Sequence, residues 1–457
     1  MIIKVNRSMK IIDKIQLLEW FKAGIKEKEN WRIGTEHEKF AYELNYDTNE
    51  YKPLPYYGDK GIQVYLSEIA KYGWDKIKEN NNIIALYKNK QSITLEPGGQ
   101  IELSGAPLKN IHQTCQEVNK HLDLLKSVGK KLGVKLVGVG SRPDEKLSEI
   151  SWMPKERYNI MRNYMPSKGD LGLYMMSSTC TVQANLDYSS EIDMIRKFRL
   201  GLSLQPIVTA LFANSPFTEG KPNGYLSWRS HIWSRTDPDR CGILPFVFEE
   251  DFSFMKYIDF ALNVPMYFIQ RKNKYINCAG LSFKDFMVGK LESCPGEFPN
   301  IIDWENHLTT IFTEVRLKQY IEMRGADAGS WNRICALPAF WVGLLYDEDS
   351  MRTAESICSK WTNKDRAYLY QKVPTRGLNL KLAGENLIDI ASELIKISKN
   401  GLKKRNFLDG AGNDETGYLQ PLEEIISEKE LPAEKLLNLF NSKWNKEIKK
   451  VYSELSY

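Results

Sequence analysis

Short segments in which polar and apolar residues alternate recur along this chain, and they constrain its fold more than any other feature. Two of them, Gln91–Glu96 and Gln100–Ser104, flank a Pro-Gly-Gly run with the composition of a tight turn. They are predicted to form a β-hairpin with a three-residue loop, because this register places Thr94 opposite Glu102. The polar side chains then share one face, and the aliphatic face must pack against a core.

The same alternation predicts strands at residues 31–42, 179–187 and 314–324, although Phe40 and Tyr42 make the first pattern less clean. A single amphipathic hairpin ordinarily turns its polar face to water. Here several strands have such a polar face, and the long helices are expected to cover only the aliphatic face. The polar faces are therefore predicted to line one shared concavity. Its predicted polar members from these three strands are Glu36, Glu38, Gln183, Asn185, Arg316, Glu322 and Arg324.

The 457 residues are 42% hydrophobic, contain no internal repeat and no low-complexity linker, and are predicted to form one α+β domain over 1–457. Residues 1–30 are expected to form a helical cap, and residues 354–457 to be mostly helical. Further helices are predicted over 108–133 and from about residue 191, where Ser189 or Ser190 is the cap and Pro206 kinks or ends the helix.

Charge and hydropathy exclude two classes of partner. The 63 basic and 58 acidic residues are interspersed, so no basic stripe favours nucleic acid. The longest apolar stretch, Ile334–Tyr346, is too short to span a bilayer and contains a proline. The N-terminal sequence has neither signal-peptide nor transit-peptide character, which gives a cytosolic location by default.

Cysteine and histidine spacing argues against a zinc site and against a disulfide scaffold. The seven cysteines are scattered without a Cys-x-x-Cys pair, and the five histidines have no metal-ligand spacing. This usage suits a reducing compartment.

Converging carboxylates are the chemical signal of the shared concavity. Glutamates from separate strands repel one another unless protons or cations neutralise them, and hard oxygen ligands point to Mg²⁺. Since the chain lacks a phosphate-binding Gly-x-x-x-x-Gly-Lys loop, metal ions and arginines must hold any nucleotide phosphates. Residues 227–240, read as a loop with three arginines beside two tryptophans, suit a carboxylate or phosphate clamp. Residue chemistry alone therefore predicts phosphoryl transfer and leaves the substrate open.

At these same stretches the chain resembles the plant-type glutamate–cysteine ligases of plants and many proteobacteria. The matching text includes GTEHEKFAYEL, EPGGQIELSGAPL, MPKERYNIM, STCTVQANLDY, RSHIWSRTDPDRCGILPFVFE and TEVRLKQYIEMRGAD. The resemblance implies a glutamine-synthetase-like fold, in which a curved antiparallel sheet covered by helices forms a funnel. It also implies that ATP, with Mg²⁺, phosphorylates the glutamate γ-carboxylate before the cysteine amine attacks, the first step of glutathione synthesis.

Site roles also follow from the resemblance, position by position. Glu38, Glu96 and Glu102 resemble the ligands of one Mg²⁺, and Glu36, Gln183 and Glu322 resemble those of the ions that bridge the ATP phosphates. Arg229 resembles the arginine that binds glutamate, and Arg324 the one beside the transferring phosphoryl group. Gln183, Asn185 and Arg235 complete the predicted substrate-binding set with Arg229. The base that deprotonates the amine is not identifiable.

Regulation and location stay open in part. Plant members carry a redox-switch disulfide near Cys278, but the second cysteine of that pair aligns with Ser293, one place before Cys294. In a strand that shift reverses the side-chain direction, so a redox bridge between Cys278 and Cys294 is left undecided. The missing plant extension favours a bacterial cytoplasmic enzyme, either monomer or homodimer.

Three alternatives remain at this point. The enzyme joins glutamate to another amine or serves a different thiol pathway; the protein is a non-catalytic amino-acid or nucleotide sensor; or it is a magnesium phosphohydrolase.

Overall fold

The structure is a computed structural model that describes residues 10–45, 48 and 50–457. Part of the predicted N-terminal cap, residues 1–9, lies outside the described residues. The strands within the described ranges are β1 (Ile33–Asn45), β2 (Glu50–Pro53), β3 (Asp75–Glu79), β4 (Asn82–Lys88), β5 (Gln91–Leu95), β6 (Ile101–Ser104), β7 (Val134–Val137), β8 (Thr181–Leu186), β9 (Phe217–Thr218), β10 (Lys221–Pro222), β11 (Cys241–Gly242), β12 (Phe268–Arg271), β13 (Lys274–Asn277), β14 (Phe312–Thr313), β15 (Val315–Leu317), β16 (Ile321–Asp327), β17 (Lys381–Leu382) and β18 (Glu385–Asn386).

The α-helices in the same ranges are α1 (Lys14–Lys22), α2 (Ile62–Ala70), α3 (Ile111–Leu132), α4 (Glu156–Tyr164), α5 (Gly172–Ser178), α6 (Glu191–Leu211), α7 (Trp228–Ser234), α8 (Phe254–Asn263), α9 (Phe283–Met287), α10 (Ile301–Thr309), α11 (Trp331–Leu345), α12 (Glu348–Cys358), α13 (Asn363–Arg376), α14 (Leu387–Arg405), α15 (Gln420–Glu428), α16 (Pro432–Asn441) and α17 (Lys450–Glu454). Short 3₁₀ turns occupy Lys28–Asn30, Leu147–Glu149, Met165–Ser167, Pro245–Phe248 and Glu415–Leu419.

Ten of the described strands form one antiparallel sheet, which confirms the predicted α+β class. Its order is β15-β16-β8-β1-β6-β5-β4-β3, and β2 and β7 also pair with β1. The long strand β1 is central because it pairs with β8 on one side and β6 on the other. The organisation of the chain as one domain stays a prediction.

The hairpin of β5 and β6 has the predicted register. Thr94 pairs with Glu102, and the Glu96 amide donates to the Gln100 carbonyl at 2.9 Å. Gly99 has a φ of +83°, a conformation that glycine adopts without strain. The Pro-Gly-Gly turn therefore sets the register that places the polar side chains of β5 and β6 on the same face of the sheet.

The predicted strand over residues 314–324 is wrong as a single element, because the chain reverses within it. Val315–Leu317 and Ile321–Asp327 pair as an antiparallel hairpin in which Arg316 lies opposite Glu322. The reversal takes three residues, and the Lys318 amide donates to the Tyr320 carbonyl at 2.8 Å. An odd turn length keeps the parity of the side chains, so the predicted polar face survives the correction.

Helices cover the aliphatic face of the sheet, as predicted. Helices α3, α6 and α11 contact strands β1, β16 and β8, respectively. Ser190 caps α6, which continues through Pro206 to Leu211 instead of ending there, and α3 ends at Gly133 with a φ of +71°. Residues 227–240, predicted as a loop, contain the short helix α7. Among the described residues, no helix is long and apolar enough to cross a membrane.

Candidate active site

Cross-strand pairing assembles the predicted polar face. Glu36 lies opposite Gln183 of β8, and Glu38 lies opposite Glu102 of β6. The resulting row of polar side chains forms one wall of a cavity, since paired residues on one face of a sheet are about 5 Å apart. The sheet side of this cavity is lined by Glu36, Glu38, Thr94, Glu96, Gln100, Glu102, Ser104, Thr181, Gln183, Arg316 and Arg324.

Segments from outside the sheet form the opposite wall, and most of their side chains there are apolar or aromatic. Helix α4 contributes Arg157, Tyr158 and Met161, and other helices, loops and the short strands β12 and β14 contribute Met175, Met176, Arg229, Trp233, Phe268, Thr309, Thr310 and Phe312. The cavity thus has a charged floor and a largely apolar cover, which is the usual composition of a small-molecule site.

The carboxylates on the floor are buried close to one another, so their negative charges repel. Burial, together with the charges of Glu102 and Glu322, raises the pKa of Glu36 to about 7. Burial and the charges of Glu96 and Glu102 raise the pKa of Glu38 well above its usual range, although the Thr181 amide donates to this carboxylate at 3.0 Å. A cation beside these carboxylates would stabilise their negatively charged forms at neutral pH.

Two arginines meet at the edge of this floor. Arg324 donates to the side-chain oxygen of Gln183 at 2.7 Å, and Arg229 donates to the backbone carbonyl of Arg324 at 2.9 Å. Helix α7 presents Arg229 because Ser227 caps the helix and also donates to buried Asp327 at 2.8 Å. The guanidinium groups are therefore placed by hydrogen bonds before any ligand arrives.

The hairpin turn beside Glu96 is held from two sides. The buried guanidinium of Arg142 donates to the Gly98 carbonyl at 2.8 Å and to the Ser177 carbonyl at 3.1 Å. Gln100 accepts from the Gly98 amide at 2.9 Å and donates to the Thr179 carbonyl at 2.9 Å. A side chain at position 98 has no room, since a Cβ there would lie 2.3 Å from the Ser177 carbonyl oxygen.

Seven of the predicted site residues line the one cavity, and three do not. The seven are Glu36, Glu38, Glu96, Glu102, Gln183, Arg229 and Arg324. Asn185 stands behind Glu36, to which its amide donates at 2.8 Å. Arg235 lies outside the cavity with its side chain half exposed, because it pairs with Asp170 at 2.5 Å.

Glu322, predicted as a metal ligand, is enclosed by cations in the structure, and its metal role stays a prediction. Its carboxylate is fully buried and is bonded to the Arg316 guanidinium, with Lys318 at 2.8 Å and Arg324 at 3.6 Å. Burial alone would raise the pKa of Glu322, but these three cations hold it below its ordinary value. The carboxylate therefore anchors the arginines and does not line the cavity.

Sequence reasoning assigned no role to the cover residues of α4 and α5. Arg157, Tyr158 and Met161 belong to the motif MPKERYNIM, and Met175 and Met176 belong to DLGLYMM. Their patterns are ordinary for helices, and tertiary packing alone brings them over the sheet.

The donor set suits a hard divalent cation. Glu38, Glu96 and Glu102 offer carboxylate oxygens on one wall of the cavity, and such oxygens are the ligands that Mg²⁺ prefers. Within the described ranges, no three or more His, Cys, Asp or Glu side chains are arranged as a group that could hold a metal ion. Any such ion would need further oxygens from water or from a ligand.

The comparison with protein families decides the identity. The model of glutamate–cysteine ligase family 2 (GCS2) matches residues 32–454. The chain belongs to glutamate–cysteine ligase family 2. The resemblance stated from the motifs is thereby confirmed, as is the prediction of a glutamate–cysteine ligase that acts on small molecules.

Relatives of this ligase family match along almost the whole chain. Glutamate–cysteine ligase B, chloroplastic, of Oryza sativa subsp. japonica is 56% identical over 98% of this chain and 88% of its own length. The chloroplastic enzyme of Nicotiana tabacum is 55% identical over 98% of this chain and 83% of its own, and that of Arabidopsis thaliana is 53% identical over 96% and 82%. The expected bacterial cytoplasmic location is therefore wrong, because these relatives are named as chloroplastic.

A solved structure shares the fold at low sequence identity. A glutamate–cysteine ligase from Francisella tularensis in complex with AMP aligns with a TM-score of 0.52 and 13% identity, over 94% of this chain and 90% of that one. The likeness supports the predicted glutamine-synthetase-like architecture.

The cysteines differ from the predicted pattern. Cys278 and Cys294 are both free: the Cys278 thiol donates to the Ile276 carbonyl at 3.5 Å, and the Ser293 hydroxyl donates to the Asn277 carbonyl at 3.0 Å. Cys115 of α3 and Cys335 of α11 are disulfide-bonded, a pairing that the spacing did not indicate.

Proposed function

We propose that this chain uses ATP and Mg²⁺ to join the γ-carboxylate of glutamate to the amine of cysteine. The observation that carries the proposal is one cavity in which carboxylates from β1 and the β5–β6 hairpin face guanidinium groups from α7 and β16. A triphosphate and a carboxylate repel each other, so a site that brings them together must supply cations on several sides.

The carboxylates would hold the metal ions. Glu38, Glu96 and Glu102 would hold one Mg²⁺, and Glu36 with Gln183 would hold those beside the phosphates. Water and phosphate oxygens would complete the coordination shells of these ions. When bound, the ions offset the charge of the triphosphate.

The chemistry needs positioning but no protein nucleophile. An oxygen of the glutamate γ-carboxylate attacks the γ-phosphorus, and the bond from that phosphorus to the departing ADP oxygen breaks. The cysteine amine, after loss of a proton, then attacks the acyl carbon of γ-glutamyl phosphate and expels phosphate. Arg324, placed by Gln183, would neutralise the transferring phosphoryl group, and Arg229 would bind the glutamate carboxylate.

Phosphate release from ATP tests this proposal. Release is expected with glutamate and cysteine together, with γ-glutamylcysteine formed in equal amount. Glu38→Gln should reduce the rate by at least about 100-fold, because one carboxylate of the proposed metal site is lost. Glu43→Gln is the matched control, since Glu43 lies on the same strand but pairs with Lys60 at the surface.

The same assay separates the alternatives. A ligase for another amine would be faster with a different member of an amine panel than with cysteine. A magnesium phosphohydrolase would release phosphate without any amine. A sensor would bind ATP or glutamate and release no phosphate, and any of these three results would contradict the proposal.

A further inference from the structure

Arg142 is a buried arginine behind the hairpin turn that carries Glu96. The residue is 4% exposed and does not line the cavity. It donates to the carbonyls of Gly98 at 2.8 Å and Ser177 at 3.1 Å, and to the Tyr42 hydroxyl at 3.3 Å. A planar guanidinium group can reach three acceptors in fixed directions at once. Arg142 thus joins the turn on the cavity floor, the end of α5 in the cover and the central strand β1.

The position of Glu96 depends on the turn that Arg142 holds. The Gly99 amide donates to the Glu96 carbonyl at 2.9 Å, and the Glu96 amide donates to the Gln100 carbonyl at 2.9 Å, so the turn is a closed hydrogen-bonded unit. Gly98 lies at the centre of this unit, and its carbonyl is the acceptor for Arg142. A displacement of Gly98 therefore moves the main chain of Glu96, whose side chain lines the cavity.

Glu145 is the carboxylate whose charge acts on Arg142. Burial alone would lower the pKa of Arg142, but Tyr42 and Glu145 raise it above its ordinary value. Glu145 is itself buried, and among the described residues its Oε2 has no hydrogen-bond partner, whereas its Oε1 accepts from the Tyr452 hydroxyl at 2.8 Å. A buried charge is costly unless hydrogen bonds stabilise it, so Tyr452 supports the charge that acts on Arg142.

Tyr452 belongs to α17 and is fully buried. Its ring packs against those of Tyr42 and Tyr51, with centroid distances of 4.8 and 4.9 Å. Further along the chain, the Tyr457 amide donates to the Leu136 carbonyl of β7 at 3.1 Å. These contacts fasten α17 to the sheet, because β2 and β7 both pair with β1. A buried network therefore extends from α17 to the turn on the cavity floor.

This network lies behind one of the proposed Mg²⁺ ligands. Groups that orient a metal ligand change the affinity for the metal by about 10- to 100-fold when they are lost. Neither Arg142 nor Tyr452 lines the cavity, so their effect on an ion there would pass through the turn. Resting on the proposed function, in which Glu96 holds Mg²⁺, we propose that Arg142 is a positioning residue for the metal site and that Tyr452 supports it through Glu145.

A titration of the full chain with Mn²⁺ tests this role without relying on turnover. Mn²⁺ accepts the same oxygen ligands as Mg²⁺ and is detected directly by electron paramagnetic resonance. Arg142→Lys keeps the positive charge but replaces the rigid fork by one ammonium group. Kd for Mn²⁺ is expected to rise about 10-fold in Arg142→Lys and about two- to fivefold in Tyr452→Phe. Tyr51→Phe is the matched control and should leave Kd unchanged, because its ring belongs to the same cluster but no described hydrogen bond involves its hydroxyl.

Steady-state kinetics and urea unfolding distinguish positioning from stability. The Mg²⁺ concentration that gives half the maximal ligase rate should rise in Arg142→Lys and Tyr452→Phe as Kd for Mn²⁺ does, while KM for glutamate stays within about twofold. A structural brace would behave differently, since its loss would lower the urea midpoint and leave the metal affinity of the folded protein unchanged.

Several results would contradict the inference. If Arg142→Lys is less stable but binds Mn²⁺ as tightly as the unaltered protein, Arg142 is a structural brace only. If Arg142→Lys does not fold, an unchanged Kd in Tyr452→Phe refutes the inference, and a change in Arg142→Lys alone refutes the part assigned to Tyr452. If the unaltered enzyme makes no γ-glutamylcysteine with Mg²⁺, the proposed function fails. If it does and both variants bind Mn²⁺ normally, only the roles of Arg142 and Tyr452 are refuted.

Discussion

Replacement of Glu322 by glutamine is expected to destabilise the fold more than it affects cation binding. The carboxylate is fully buried against Arg316, Lys318 and Arg324, so its loss leaves three cations without their shared counter-ion. Removing one partner of a buried pair costs about 3–5 kcal/mol. Because Lys318 is partly accessible to water, we expect a value near the lower end, about 3 kcal/mol, or roughly a 150-fold change in the unfolding equilibrium.

Urea unfolding at pH 7, followed by circular dichroism, measures this loss. Glu297→Gln is the control, because Glu297 also pairs with an arginine, Arg271, but its side chain is half exposed. An exposed pair of this kind contributes about 0–1 kcal/mol, so the control should unfold close to the unaltered protein.

The difference in unfolding free energy between the unaltered protein and Glu322→Gln should depend on pH in a definite direction. The folded pKa of Glu322 lies below its ordinary value of 4.5, so the contribution of the charged carboxylate is fully present above about pH 4.5. It is lost only as the pH falls through the folded value. The gap between the unaltered protein and Glu322→Gln should therefore be constant between about pH 6 and 8.

A different result would refute this account of Glu322. If the variant unfolds within about 1 kcal/mol of the unaltered protein while its Mg²⁺ requirement rises, the carboxylate is a metal ligand, as the family resemblance implied.

Three further predictions follow from the same site. Gly98→Ala should lower the urea midpoint and the ligase rate, because the new methyl group would collide with the Ser177 backbone, whereas Gly410→Ala, with open space around it, should do neither. Arg235→Gln should change kcat/KM less than about twofold in steady-state assays, since the side chain lies outside the cavity. The pKa of Glu36 is raised to about 7, so without Mg²⁺ the free energy of unfolding should fall by roughly 1–3 kcal/mol as the pH rises from 4.5 to 7. Denaturation experiments at several pH values measure this slope, and Glu36→Gln should remove it. A slope that persists in the variant would belong to another group.

The floor of the cavity was predictable from sequence because a strand has a period of two. Glu36, Glu38, Gln183 and Glu102 share one face for that reason, and the Pro-Gly-Gly turn set the register that places Thr94 opposite Glu102. The alternation could not distinguish one strand over residues 314–324 from a hairpin, since a three-residue turn preserves parity.

The cover of the cavity and the role of Glu322 were not predictable in the same way. Helix α4 reaches the cavity because its first turn bonds to Leu95, a contact between segments about 60 residues apart that leaves no periodic signal. The sequence pattern around a buried glutamate is the same whether its carboxylate binds a metal ion or pairs with an arginine. The ion pairs of Glu322 with Arg316 and Lys318 appear only once the chain is folded.

The tight reversal between β15 and β16 has a consequence for how the chain folds. All three counter-ions of Glu322 lie within six residues of it in sequence, so this charge can be neutralised by closing a very short loop. The Glu322 carboxylate can therefore be paired within the hairpin before β8 and β1 are in place. If the turn between β15 and β16 were a few residues longer, Glu322 could be buried before its ion pairs had formed. The refolding rate would then fall by a larger factor than the equilibrium constant for folding.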